Sequence, residues 1–287
     1  MTALTGTRVL DLSRVLAGPS CGQLFADMGA DVIKIEDREG DENRRWLPVV
    51  DGRGANFWSV NRGKRGMTLN LKSPRGQEIL KRLVERADVL IENFPPSTAE
   101  RLGLSWPQLS AINPDLVHVS ITGYGSRGPY ANRPGYDNML QAFSGMMAMT
   151  GEGDRGPARL GPSVIDMGTG MLAFAGACAA LLARAQGKAR GQHVEASLMQ
   201  TALAQLGYHF TARTMAGVVP SAPVRRSGMW CPTRPSAPPM AGCWWVPPTT
   251  PPGCAWPPCW ACRNWPPTNA MQLRRDARSA ARRSSPR

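Results

Sequence analysis

Apolar positions fall in short blocks through the first 220 residues, and their spacing alternates between strand-like and helix-like. The run Arg8-Val-Leu-Asp-Leu12 predicts a strand. Gly18-Pro19-Ser20 follows, then a helical spacing through Leu24, Phe25 and Met28, with Pro19 and Ser20 suited to the first turn. Gly29 stops that helix and residues 31–36 predict the next strand, a βαβ unit with a short crossover. Residues 72–87 predict a helix with Pro74 near its start. Residues 88–92 predict a strand, 93–96 a loop, 99–104 a helix and 115–121 a strand leading into a glycine-rich loop. Alternation of this kind predicts an α/β fold, a doubly wound, mainly parallel, Rossmann-like sheet. Ligands of such sheets bind at the carboxyl ends of the strands, so loops 13–20, 37–45, 93–98 and 122–137 are the candidates. The rest of the chain up to Pro220 reads as helical: 141–150, 167–185 and 195–216, whose Met and Ala content is core packing.

Composition divides the chain near residue 220. The net charge of +13 over 287 residues suggests nucleic acid until it is mapped by position. Residues 221–287 hold 10 basic residues against one acidic, with 14 of the 26 prolines, 6 of the 9 tryptophans and 5 of the 7 cysteines. Before Ser221 the balance is 24 basic to 20 acidic. The basic excess therefore belongs to the tail, and a nucleic-acid module would rest on tail arginines alone. Neither a secretory signal nor a run of about 18 apolar residues is read in the sequence, so the expectation is a cytoplasmic protein without membrane contact.

The tail itself has no helical or strand period, and its Pro-Pro pairs remove donors and fix φ. Cys259-Trp-Ala-Cys262 with Cys254 falls short of a zinc site, because the tail supplies no histidine. Codons for Cys231 to Gly242 can be chosen that, read two bases later, spell PYQAFRTADGW. The same offset over Pro258 to Pro266 spells LLGLPELA. The expectation is a frameshift between about Gly217 and Met229. It gives a domain at 1–220 and a non-native, poorly ordered tail at 221–287.

Candidate chemistry lies before residue 220. Asp166, in Gly161-Pro-Ser-Val-Ile-Asp166-Met-Gly-Thr-Gly170, opens a long apolar helix. It reads as a helix N-terminal carboxylate or as a carboxylate nucleophile for an activated acyl group. Gly168 and Gly170 would let a ligand approach the backbone. Tyr136-Asp137 reads as a turn and helix start, and Asn93-Phe94 as a turn after a strand. Arg38, Arg44 and Arg45 lie in a polar loop that would suit phosphate if it faced a ligand. His118 reads as a core histidine. No P-loop or HExxH occurs.

Several blocks, in order, resemble the family III CoA-transferases, the group that includes formyl-CoA transferase, carnitine CoA-transferase and α-methylacyl-CoA racemase. They are Gly6-Thr-Arg-Val-Leu-Asp-Leu12 with Ala17-Gly-Pro19; Met28-Gly-Ala-Asp-Val-Ile-Lys-Ile-Glu36; Asn61-Arg-Gly-Lys-Arg65; Ala87-Asp-Val-Leu-Ile-Glu-Asn-Phe94; Gly123-Tyr-Gly125; Pro134-Gly-Tyr-Asp137; and residues 187–194. The shifted tail readings also look like the family's next segment.

The resemblance implies an enzyme that moves CoA between an acyl-CoA and a carboxylic acid, with the CoA thioester as substrate and no cofactor or metal. An aspartate attacks the donor thioester to give a mixed anhydride, and the CoA thiolate returns to form an aspartyl thioester. Asp166 matches that aspartate. The positions matching CoA contacts are Val15, Ala17, Arg38, Leu71, Asn93, Phe94, Arg101, Leu102 and Tyr136, with Arg38 and Arg101 toward phosphate. Leu16 stands where formyl-CoA transferases have glutamine, which disfavours that substrate. The racemase branch has a His-Asp pair where this chain has Tyr136-Asp137, which favours transfer over racemisation. The resemblance further implies interlocked homodimers, a smaller second domain followed by a return to finish the first, and, past residue 220, a glycine-rich loop over the aspartate. Without these, the 287-residue product is expected to leave apolar surface bare, and an inactive fragment is the competing reading.

Overall fold

A computed structural model of the chain describes residues 2–151 and 156–222; the tail expected from the sequence at 221–287 lies outside the described residues from residue 223 onward. The elements run β1 (Arg8–Asp11), α1 (Ala17–Asp27), β2 (Asp31–Glu36), β3 (Val49–Val50), β4 (Arg53–Gly54), α2 (Ala55–Ser59), β5 (Arg65–Thr68), α3 (Pro74–Val84) and β6 (Val89–Glu92). There follow α4 (Pro96–Arg101), α5 (Trp106–Ile112), β7 (Val117–Thr122), α6 (Asp137–Phe143), α7 (Val164–Ala185), β8 (Gln192–Ser197) and α8 (Leu198–Ala216). Six strands form one parallel sheet in the order β5-β2-β1-β6-β7-β8, and β3 and β4 form a separate antiparallel pair. The chain builds outward from β1 in one direction, then returns to β6 and builds in the other. The switch point therefore lies between β1 and β6, where the loops diverge and open a crevice.

Period-two alternation sorts the strand residues between two cores. Val9, Val32, Val89, Ile91, Val117 and Val119 join α1 and α7 on one face, while Leu10, Leu12, Ile35 and Leu90 join α3, α4 and α5 on the other. On the first face Phe25 is fully buried and meets Phe174 edge-on, with centroids 4.8 Å apart. By length and composition alone α7 could cross a bilayer, but here its Ile165, Ala173, Ala177 and Ala180 are buried in this core.

The doubly wound parallel sheet matches the sequence expectation, and several elements correct it. Residues 192–197 are a strand where a helix beginning near 195 was expected. Residues of β8 pair in register with β7 from Val117↔Gln192 to Thr122↔Ser197, and the helix waits for Ser197, whose hydroxyl caps the Gln200 N–H at 3.2 Å. Gly191 permits that pairing, since a Cβ there would lie 2.3 Å from the Leu116 carbonyl oxygen. The edge strand β5 and helix α5 were not foreseen. The helix expected at 99–104 begins at Pro96, and that expected at 141–150 is α6 followed by a short 3-10 turn at Met147–Met149.

Candidate active site

The crevice at the switch point is lined by Arg14, Val15, Leu16 and Ala17 after β1, by Asn93, Phe94 and Pro95 after β6, and by Gly123 and Tyr136 after β7. Asp166 in the first turn of α7 and Leu198 at the start of α8 complete the wall. Of the positions singled out from the sequence, Val15, Ala17, Asn93, Phe94, Tyr136 and Asp166 come together here; Arg38, Leu71, Arg101 and Leu102 do not line this cavity. Leu71 and Leu102 are bridged by Gln77 instead. Gln77 Nε2 donates to both their carbonyls, at 2.6 and 2.9 Å, and both pack on the core cluster that Phe94 also touches. Arg38 and Arg101 are exposed and form no ion pair among the described residues.

Two buried carboxylates stand at the α7 N-terminus in contrasting states. Ser163, the residue before the helix, makes no side-chain cap bond. Asp137 takes that role from the start of α6: its Oδ2 accepts from the backbone N–H of Ile165 at 2.8 Å and of Asp166 at 3.1 Å. Its Oδ1 accepts from Gln141 Nε2, and Gln141 Oε1 accepts from the Leu160 N–H at 2.9 Å, so both oxygens of Asp137 are occupied. The side chain of Asp166 accepts no hydrogen bond from any described residue, although only 8% of the residue is exposed. Burial, and then the negative charge of Asp137, push its carboxyl up to about 7. An unpaired carboxylate at a crevice wall can attack an electrophilic carbonyl, which a capping carboxylate with both oxygens engaged cannot.

The glycines near Asp166 serve packing, which corrects the expectation of ligand approach. A Cβ on Gly170 would lie 1.9 Å from Ser20 Oγ and 2.6 Å from the Ala17 carbonyl oxygen, so α7 rests directly on α1. A Cβ on Gly168 would meet Gln205 and Thr201 of α8. The arginine loop is also corrected. Arg44 is bidentate to Glu36, at 2.9 and 2.6 Å, and lies 3.7 Å over the Phe57 ring, while Arg45 Nη1 donates to the Glu39 carbonyl. Neither arginine lines the crevice. His118 is buried as expected, stacked on His193 with centroids 4.7 Å apart under Trp106. Among the described residues no group of three or more His, Cys, Asp or Glu is placed to hold a metal.

Beneath the crevice lies a buried network that sequence reading missed. Lys64 Nζ donates to Asp11 Oδ2 at 2.7 Å, to the Pro19 carbonyl at 2.7 Å and to Asn61 Oδ1 at 2.8 Å. Burial raises the Asp11 carboxyl, but the charges of Lys64 and Lys34 and the hydrogen bonds of Lys64 and Ser13 outweigh it and hold it below the usual range.

A family model described as CoA-transferase family III matches residues 4–235. The chain belongs to CoA-transferase family III. Within the family it is 44% identical over 211 residues to a succinate–glutarate CoA-transferase of Agrobacterium fabrum, covering 71% of this chain and 52% of that protein. It is 44% identical over 204 residues to a formyl-CoA:oxalate CoA-transferase of Streptomyces avermitilis, covering 70% and 49%. Among solved structures, a CAIB/BAIF family protein from Brucella suis superposes with a TM-score of 0.74 at 42% identity, over 77% of this chain and 60% of that one. The chain thus spans about half the length of these family III relatives.

Proposed function

We propose that the crevice binds an acyl-CoA and that Asp166 transfers its acyl group to let CoA pass to a second carboxylic acid. One observation carries the reading: a buried carboxyl that accepts no hydrogen bond from the described residues, with its pKa raised to about 7, opens on the crevice of a family III fold. The carboxylate oxygen of Asp166 adds to the thioester carbonyl, the C–S bond breaks, and CoA leaves as thiolate with a mixed anhydride behind. Thiolate then attacks the aspartyl carbonyl, releasing the donor acid and leaving an aspartyl thioester. The acceptor carboxylate repeats these steps in reverse, so no net proton or electron is consumed. The names of the relatives, succinate–glutarate and formyl-CoA:oxalate, make dicarboxylic acids the first acceptors to try.

Incubating the 287-residue chain with succinyl-CoA and glutarate, oxalate or succinate, and digesting it for mass spectrometry, tests the reading. A CoA adduct on the peptide holding Asp166 is expected, and Asp166→Ala should lower transfer by about a thousandfold or more. Full turnover by Asp166→Ala would refute the assignment. The homodimer implied by the resemblance belongs to the same proposal, supported by Met171, Leu172, Leu182 and Phe210, which α7 and α8 leave exposed. The frameshift near residue 220 is tested separately by resequencing the locus, where an unbroken frame encoding residues 221–287 as they stand would reject it.

A further inference from the structure

Six backbone groups of Ser13, Arg14 and Val15 all end on side chains. The Ser13 N–H donates to Asp11 Oδ1 at 3.0 Å, and its carbonyl accepts from Lys34 Nζ at 2.6 Å. The Arg14 N–H donates to Asn93 Oδ1 at 2.9 Å, and its carbonyl accepts from Asn93 Nδ2 at 2.8 Å. The Val15 N–H donates to Asp41 Oδ1 at 3.3 Å, and its carbonyl accepts from Asn43 Nδ2. A surface loop can leave such groups to water, so this arrangement holds the loop to one geometry.

That geometry is strained. Val15 sits at φ 68, a region that a β-branched residue rarely enters without being forced. The residues on either side of its peptide groups are buried: Lys34, Asp41 and Asn43 are 2%, 1% and 0% exposed, and Lys34 Nζ lies 3.1 Å from Asp41 Oδ2. None of these three lines the crevice, whereas Arg14 and Val15 do. Ion pairs this deep are seldom the most stable choice for a core, so their use here points to position rather than stability.

We propose that Lys34, Asp41, Asn43 and Asn93 form a clamp that holds Val15 in the left-handed conformation in which the loop meets acyl-CoA. The inference rests on the crevice being the acyl-CoA site. Asn93 then acts as a positioning residue through Arg14, because both of its amide atoms are already engaged by that backbone.

Coenzyme A titrated by calorimetry into the full chain, Asn43→Ala, Val15→Gly and the double variant tests this, with amide exchange at residues 14 and 15 read alongside. Glycine adopts φ near 68 without strain, so it supplies by itself what the clamp enforces. Asn43→Ala should weaken binding about tenfold and speed exchange at Val15. Asn93→Ala, which leaves the buried pair untouched, should weaken it comparably and speed exchange at Arg14. Adding Val15→Gly to Asn43→Ala should restore most of the affinity, whereas a merely structural role predicts a deeper defect. Unchanged affinity in both alanine variants, or no rescue by glycine, overturns the clamp. Absence of any CoA binding by the parent chain overturns the acyl-CoA reading beneath it.

Discussion

Asp137 and Asp166 are carboxylates at one helix end, separated by their hydrogen bonding and by which of them lines the crevice. Asp137 is occupied by two backbone N–H groups and Gln141; Asp166 accepts no hydrogen bond from the described residues and lines the crevice. A nucleophilic Asp166 must be ionised, so kcat/KM should rise with pH through about 7. Asp137→Asn removes the second cause of that elevation, after burial, and the acid limb of the profile should move to lower pH. The same variant should lose about 1 kcal/mol or more of stability, read by urea denaturation, because the cap is damaged. Stability carries the opposite pH dependence. Below about pH 4 both folded and unfolded chains hold the Asp166 proton; between there and about 7 the unfolded chain ionises while the folded one does not. Stability should therefore fall across that window and then level. Asp166→Asn should abolish the fall and gain on the order of 4 kcal/mol at pH 8, at about 1.4 kcal/mol per pKa unit. Asp166 was legible because its block opens an apolar helix and the family resemblance singles it out. Its partner was not: Asp137 lies 29 residues earlier, and only folding brings its carboxylate to the α7 end.

At the scale of elements, small residues decide how helices meet. Gly170 lets α7 lie against α1, and Gly170→Ala forces a methyl into Ser20 Oγ and the Ala17 carbonyl. The better helix propensity of alanine offsets about 1 kcal/mol, yet overpacking should leave a net loss of about 1–3 kcal/mol in thermal or urea unfolding. Pairing it with Ser20→Gly should recover only the part due to the hydroxyl, because the Ala17 carbonyl is backbone. Strands β1, β2, β6 and β7 were legible because central parallel strands are apolar on both faces. The edge strands were not. β5 carries only one large apolar residue, Met67, and β8 has only Val194 and Ala196 as apolar residues, so both owe their conformation to the neighbouring strand. Helix α5 did announce itself: Ser105 and Gln108 form a capping box that the sequence displays and the reading passed over.

For the whole molecule, the run Asn61-Arg-Gly-Lys-Arg65 acts as fastening. Arg62 pairs with Asp27 at 2.6 Å, Arg65 with Asp31 at 2.7 Å, and Lys64 neutralises Asp11 beneath the crevice. The first two are partly exposed and contribute little. Lys64→Met strands a buried carboxylate and should cost about 3–5 kcal/mol in urea unfolding. Asp11→Leu combined with Lys64→Met should recover much of that loss, since an apolar pair can replace a buried ion pair.

The crevice wall joins Arg14, near the start of the chain, to Leu198, at the head of the last described helix. During synthesis the ribosome must therefore release nearly the whole sheet before this wall can close. A ligand that needs the complete wall would therefore meet only chains whose sixth strand has already docked.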